Sequence, residues 1–155
     1  MSKNIFIIFF AILTIIACSS AKTQNTAVKT VQGIDGYVFK ISGNQMPMPG
    51  MAAPKPAGIA TTVFVYEMTK LREVVRINNS PSYSAIHKKL ITTIQSDSTG
   101  HFSVQLPVGT YSLFTKTGSL YYANLFDSEN NIAPVKVEEG KITSTVIKLD
   151  AGATY

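Results

Sequence analysis

The sequence predicts an all-β fold, a single β-sandwich of about seven strands. Three observations carry that prediction. Past its first twenty residues the chain is rich in Thr, Ser, Val, Ile and Tyr and has no Trp, a composition that favours strands over helices. Short stretches of alternating apolar and polar residues recur through its second half, the period expected of half-buried strands. Clusters of Gly, Asp, Asn and Pro separate those stretches.

The first strand is expected over Gly33–Gly43, where Tyr37, Phe39 and Ile41 alternate with Val38 and Lys40. Residues 44–58 follow, with four prolines within about ten residues, a density that forbids a regular ladder and favours extended turns. Ile59–Met68 resumes as a strand. Leu71–Ile77 reads as a short helix or a strand, Asn78–Pro81 as a loop, and Ser82–Lys88 is ambiguous.

From Leu90 the pattern sharpens. Leu90–Ser96 is a strand, and Asp97-Ser98-Thr99-Gly100 is a turn in which Gly supplies positive φ. His101–Leu106 alternates, with Phe102, Val104 and Leu106 on one side and His101, Ser103 and Gln105 on the other. Pro107-Val108-Gly109 makes the next turn. Thr110–Lys116 is a strand with Tyr111, Leu113 and Thr115 on one face. Leu120–Phe126 is a further short strand, and Asp127–Asn131 a loop. Ile132–Glu138, a turn at Glu139-Gly140 and Ile142–Leu149 are expected to form a closing hairpin.

The N-terminus carries a different signal. Ile5 to Ile16 is apolar with almost no break and follows Lys3. The run is too short to span a bilayer and reads as a cleaved export signal. Ile15-Ile16-Ala17-Cys18 resembles the lipobox of bacterial lipoproteins: two aliphatics, a small residue and a cysteine. The resemblance implies that Cys18 becomes the lipidated first residue of the mature protein. Residues 1–17 are then the signal peptide and residues 18–32 the lipidated cysteine with a polar, flexible tether. Residues 33–155 form the folded domain. Fully extended, the tether reaches on the order of 45–50 Å. Multiple acyl chains on Cys18 anchor stably where one would not. Ser19 lacks the acidic residue that marks inner-membrane retention, which favours the outer membrane of a Gram-negative-type bacterium, with its periplasmic or surface face open. Cys18 is the only cysteine, so once acylated it leaves no thiol for a disulfide.

The run Ser96-Asp97-Ser98-Thr99-Gly100-His101-Phe102, continuing through Leu106-Pro107-Val108-Gly109-Thr110-Tyr111 to Leu113, resembles the carboxypeptidase regulatory-like domains. Those domains belong to a group with a transthyretin-like, Greek-key β-sandwich. Gly36-Tyr37-Val38 resembles the opening strand of that group, Gly58-Ile59 with Val63-Phe64-Val65 its second strand, and Gly140–Leu149 its closing hairpin. The Met/Pro-rich segment and residues 69–89 depart from the pattern as elaborated loops. The resemblance implies a non-catalytic accessory or adhesion-like module and no cofactor. It also implies that Phe102 and Tyr111 enter the core from adjacent strands.

Sequence chemistry points the same way. Ser96 or Ser98 with Asp97 and His87 or His101 supplies hydrolytic residue types, but no strained nucleophile turn of the Gly-x-Ser-x-Gly type accompanies them. Asp97 is better explained as a turn acceptor. No His-Glu-x-x-His pattern is present. Asp127, Glu129 and Asn131 alternate as calcium ligands do, but they lack the glycine and the distal Glu of a calcium loop, so a surface turn is expected. The net charge of +5, with Lys70, Arg72, Arg76, Lys88 and Lys89 loosely grouped, reads as a solvated basic face. An anionic lipid or polysaccharide patch is the alternative, and nucleic acid is not expected.

The function expected is a lipid-anchored cell-envelope module that presents loops 44–58 and 69–89 to an envelope protein or a glycan. Met46, Pro47, Met48, Pro49 and Met51 form the candidate binding loop. The alternative is a copper-handling lipoprotein, with the Met46, Met48 and Met51 thioethers as soft ligands for Cu(I).

Overall fold

Residues 31–46, 50 and 55–154 are described by the structure, a computed structural model. The expected signal sequence, Cys18 and the tether through residue 30 lie outside them. Eleven strands are present among the described residues: β1 (Gly33–Asn44), β2 (Ala57–Gly58), β3 (Thr62–Glu67), β4 (Val74–Arg76), β5 (Ser82–Ile86), β6 (Leu90–Gln95), β7 (His101–Gln105), β8 (Gly109–Thr117), β9 (Leu120–Tyr122), β10 (Pro134–Val137) and β11 (Ile142–Thr154). A single 3-10 turn, Leu71–Glu73, precedes β4. The count exceeds the expected seven because several strands are two to four residues long. No helix among the described residues is long and apolar enough to cross a membrane.

The strands form two sheets. In the first, β1 is central. It pairs in parallel with β11 along one edge, and its other edge carries β7 against Gly33–Tyr37 and then β2 against Phe39–Lys40. The second sheet runs β4-β5-β9-β8-β3-β6, with β10 also on β8. There β8 pairs with β3 on one side, and with β10 and then β9 on the other.

Ile34, Val38, Phe102, Ile147 and Leu149 from the first sheet meet Val63, Val65, Tyr111, Leu113, Tyr122 and Val137 from the second in one buried cluster. Burial of each large apolar side chain here contributes about 1.5–3 kcal/mol. The expected inward faces of β7 and of Tyr111, Leu113 and Thr115 are both observed.

Two expectations about strand pairing are corrected. Phe102 and Tyr111 do enter one core, but β7 and β8 lie in opposite sheets, so they face each other across it. The turns at 96–100 and 106–109 are therefore corners between sheets. The expected closing hairpin is also absent: β10 pairs with β8, while β11 crosses to the first sheet and pairs with β1. In β1 it is Ile34, Gly36 and Val38 that face inward, leaving Tyr37 and Phe39 on the outside.

The third correction concerns residues 69–89, which are not a free loop. β8 is buried on both faces, with Leu113 toward the main core and Phe114 away from it. On that second side Phe114, Tyr66, Tyr83, Ala123 and Ile132 form another buried cluster, flanked by Leu71, Val74 and Ile86. The Tyr66 and Tyr83 rings meet Phe114 edge-on at 5.7 and 5.8 Å, the preferred geometry for aromatic pairs. Thr69, fully buried, donates its N–H to Ser112 Oγ at 2.9 Å. The insertion is thus a structural cover over the second sheet.

Candidate functional site

The parity of β1 creates the most distinctive surface. A side chain at Gly36 would sit 2.7 Å from the Thr145 carbonyl and 2.8 Å from the Phe102 ring. Only glycine allows β11 and Phe102 to approach so closely. With Gly36 inward, the period of two sends Asp35, Tyr37 and Phe39 outward.

Neighbouring strands complete the surface. His101 on β7 is opposite Tyr37, and Ser103 is opposite Asp35. Ser144, Val146 and Lys148 on β11 align with Asp35, Tyr37 and Phe39. The His101 imidazole donates diagonally from Nε2 to Asp35 Oδ2 at 2.8 Å, with both side chains part-exposed. The Tyr37 ring stands 5.1 Å from the His101 ring and 5.9 Å from Phe39, nearly parallel to the latter. Tyr37 is 41% exposed. An aromatic row therefore runs between a hydrogen-bonded carboxylate–imidazole pair on one side and Val146 and Lys148 on the other. Such a surface offers apolar contact together with fixed donors and acceptors, the combination that recognition surfaces use.

The other residues named from sequence fall elsewhere. Ser96 is buried, and its hydroxyl donates to the Ile59 carbonyl at 2.8 Å and accepts from Thr61 N–H at 2.9 Å. Asp97 Oδ1 accepts from Thr99 N–H, Thr99 hydroxyl and His101 N–H at 2.8, 2.6 and 3.0 Å, the expected turn role. The Thr99 hydroxyl is the largest cause of its lowered pKa. His87 belongs to the β5–β6 connection of the second sheet and is not joined to His101.

Asp127 closes its own loop. It accepts from Glu129 N–H and Asn131 N–H at 2.9 Å each and from Asn131 Nδ2 at 2.7 Å. The Asn131 side chain is the largest cause of its lowered pKa. This is the expected surface turn. Among the described residues no group of three or more His, Cys, Asp or Glu is placed to hold a metal ion. Met46 is 51% exposed, whereas Pro47, Met48, Pro49 and Met51 lie outside the described residues.

Sequence reasoning missed the Asp35–His101 pair because its partners are 66 positions apart. The Asp-x-Tyr-x-Phe alternation at 35–39 was the one available signal. Comparison with family models, with curated proteins and with solved structures finds no match to this chain.

Proposed function

We propose that this chain is a lipid-anchored cell-envelope module with a non-catalytic binding role. In this reading Cys18 carries the lipid, residues 19–32 give reach, and the two-sheet domain is a Greek-key, transthyretin-like sandwich of the carboxypeptidase regulatory-like kind. The recognition surface is the outward face of the first sheet, and the 44–58 segment, which follows β1 in the chain, contributes to binding. Its partner is an envelope protein or a glycan, on the outer membrane.

The observation that carries the reading is the outward Tyr37–Phe39 row, with Tyr37 exposed and Phe39 half-buried, held beside the Asp35–His101 pair. Two features support it further. Ser96, Asp97 and Asp127 are committed to holding turns and corners, and the 69–89 insertion, committed to the second core, drops out as a recognition loop. The test is binding of the full chain to purified envelope glycans and envelope proteins, with Tyr37→Ala/Phe39→Ala as the comparison. Loss of binding with unchanged urea midpoint is expected. Equal binding by the double variant would contradict the assignment of the surface. Mass analysis of the mature N-terminus tests the anchor: lipid on Cys18 is expected, and an unmodified thiol there contradicts it.

A further inference from the structure

Past Lys40 and Leu149 the paired strands β1 and β11 run on together, through Ser42–Gly152, Gly43–Ala153 and Asn44–Thr154. Their ladder shifts register between Lys40 and Ser42, an irregularity of the kind that bends a strand. A cleft of about 390 Å³ opens there between the two sheets. Its walls are Ile59, which follows β2, Thr117 at the end of β8, and Leu149 and Ala151 of β11. Lys40 and Lys116 line it as well, and both are exposed. The volume falls within the roughly 300–1,000 Å³ of small-molecule sites.

Lys40 stands where the alternation of β1 calls for an apolar residue. Ile34, Gly36 and Val38 face the core, and the period of two places Lys40 next on that side. A lysine on a core-facing side is usually matched by an opposite charge. Among the described residues neither Lys40 nor Lys116 is in an ion pair. Aromatic rings fix Lys116 instead, its Nζ lying 5.6 Å from the Phe64 centroid and 5.3 Å from that of Tyr121. That contact leaves N–H donors to spare.

No carboxylate lines the cleft among the described residues. Asp150, between Leu149 and Ala151 in the chain, accepts from Asn124 Nδ2 and from the Tyr122 hydroxyl. Lys55 lines an adjoining cleft that Lys40 also borders, which adds to the positive charge at this end.

We propose that the cleft binds an amphiphilic anion with an alkyl chain, either a fatty carboxylate or the equivalent part of an anionic lipid. The chain lies against Ile59, Leu149 and Ala151, and Lys40 and Lys116 hold the anion. Aliphatic walls select the chain by burying it, and two unpaired ammonium groups select the charge. The cleft lies between the sheets, away from the outer face of the first, and rests neither on the role of the Tyr37–Phe39 row nor on lipid at Cys18.

The test titrates the full-length protein in digitonin, a detergent without an alkyl chain, with a dansyl-labelled undecanoate probe, and protein-free micelles are the blank. Saturable binding is expected, with displacement by decanoate. Decanol, which lacks the charge, should displace at least about tenfold more weakly. Acetate, which lacks the chain, should displace at least about a hundredfold more weakly. Lys40→Met/Lys116→Met keeps both apolar stems and should weaken the probe at least about tenfold. Ala151→Glu, at an exposed wall residue, should do the same by setting a carboxylate in the cleft. Lys136 and Lys141 pair with Glu138 elsewhere, and Lys136→Met/Lys141→Met, with the same charge change, should stay within about twofold of wild type. Urea midpoints equal to wild type confirm that the two cleft variants keep the fold. Stronger displacement by decanoate than by dihexanoylphosphatidylglycerol identifies a free carboxylate as the ligand, and the reverse identifies a lipid. Absence of saturable binding, displacement by decanol or acetate equal to that by decanoate, or unchanged affinity in both cleft variants overturns the proposal. So does an equal loss in Lys136→Met/Lys141→Met, which reduces the effect to net charge.

Discussion

The Tyr111 hydroxyl donates to the Pro107 carbonyl oxygen at 2.9 Å, four residues back along the chain. This bond pins the corner where the chain leaves the first sheet for the second, in the manner of the tyrosine corner of other sandwiches. Tyr111→Phe keeps the buried ring and removes only the bond. The expected loss is about 1 kcal/mol, read as a lower urea midpoint with unchanged slope.

Gly100 adopts φ +86°, and a side chain there would collide with the Val38 carbonyl. Gly118 also has positive φ, at +61°, but has nothing within 4 Å. Gly118→Ala should therefore cost about 1–2 kcal/mol from backbone strain alone. Gly100→Ala should cost more, about 3 kcal/mol or above, because β1 must also move. Equal losses in denaturant titrations would contradict the packing of the 96–100 corner against β1.

Tyr83 is fully buried, and its hydroxyl donates to the Ala123 carbonyl at 3.1 Å. If residues 69–89 are a structural cover, Tyr83→Ala should cost about 3–5 kcal/mol, the range for a buried aromatic. Deleting residues 45–56 should leave the melting transition cooperative. A small effect of Tyr83→Ala would return the insertion to the status of a surface loop.

Glu138 accepts from Lys141 Nζ at 2.8 Å and lies 3.0 Å from Lys136 Nζ. These hydrogen bonds, Lys141 first, lower its pKa from 4.5 to about 2. A depressed carboxylate pKa favours the folded state above the unfolded value, and that contribution is lost as pH falls from 4.5 towards about 2. Stability measured by urea unfolding should fall across that window, and less steeply in Glu138→Gln. Added salt should shrink the difference, since the pair is exposed.

Much of the strand pattern can be read from the chain because it is local. Phe102, Val104 and Leu106 alternate in sequence and point inward in space, and Asp97 and Gly100 carry their turn chemistry in their own side chain and backbone. What is not local stays hidden. A corner between sheets and a hairpin use the same residues: Gly140 has φ +67° and the Lys141 N–H reaches the Glu138 carbonyl, yet β11 departs for β1. The facing of β1 is hidden for a related reason. Tyr37 and Phe39 are its two aromatic side chains, but the approach of Phe102 and Thr145 to Gly36 fixes the opposite face inward. The 69–89 cover shows no clear period because its Leu71, Val74, Tyr83 and Ile86 contribute singly to a core made mainly by others.

If the outer face of the first sheet is a recognition surface, photo-crosslinking in intact cells will capture what binds it, with benzoylphenylalanine placed at Tyr37 and, as a control, at Gly118. A discrete protein or glycan adduct is expected from position 37, weakened by Phe39→Ala, and none from position 118. No adduct at position 37, or the same adducts from both positions, would contradict it.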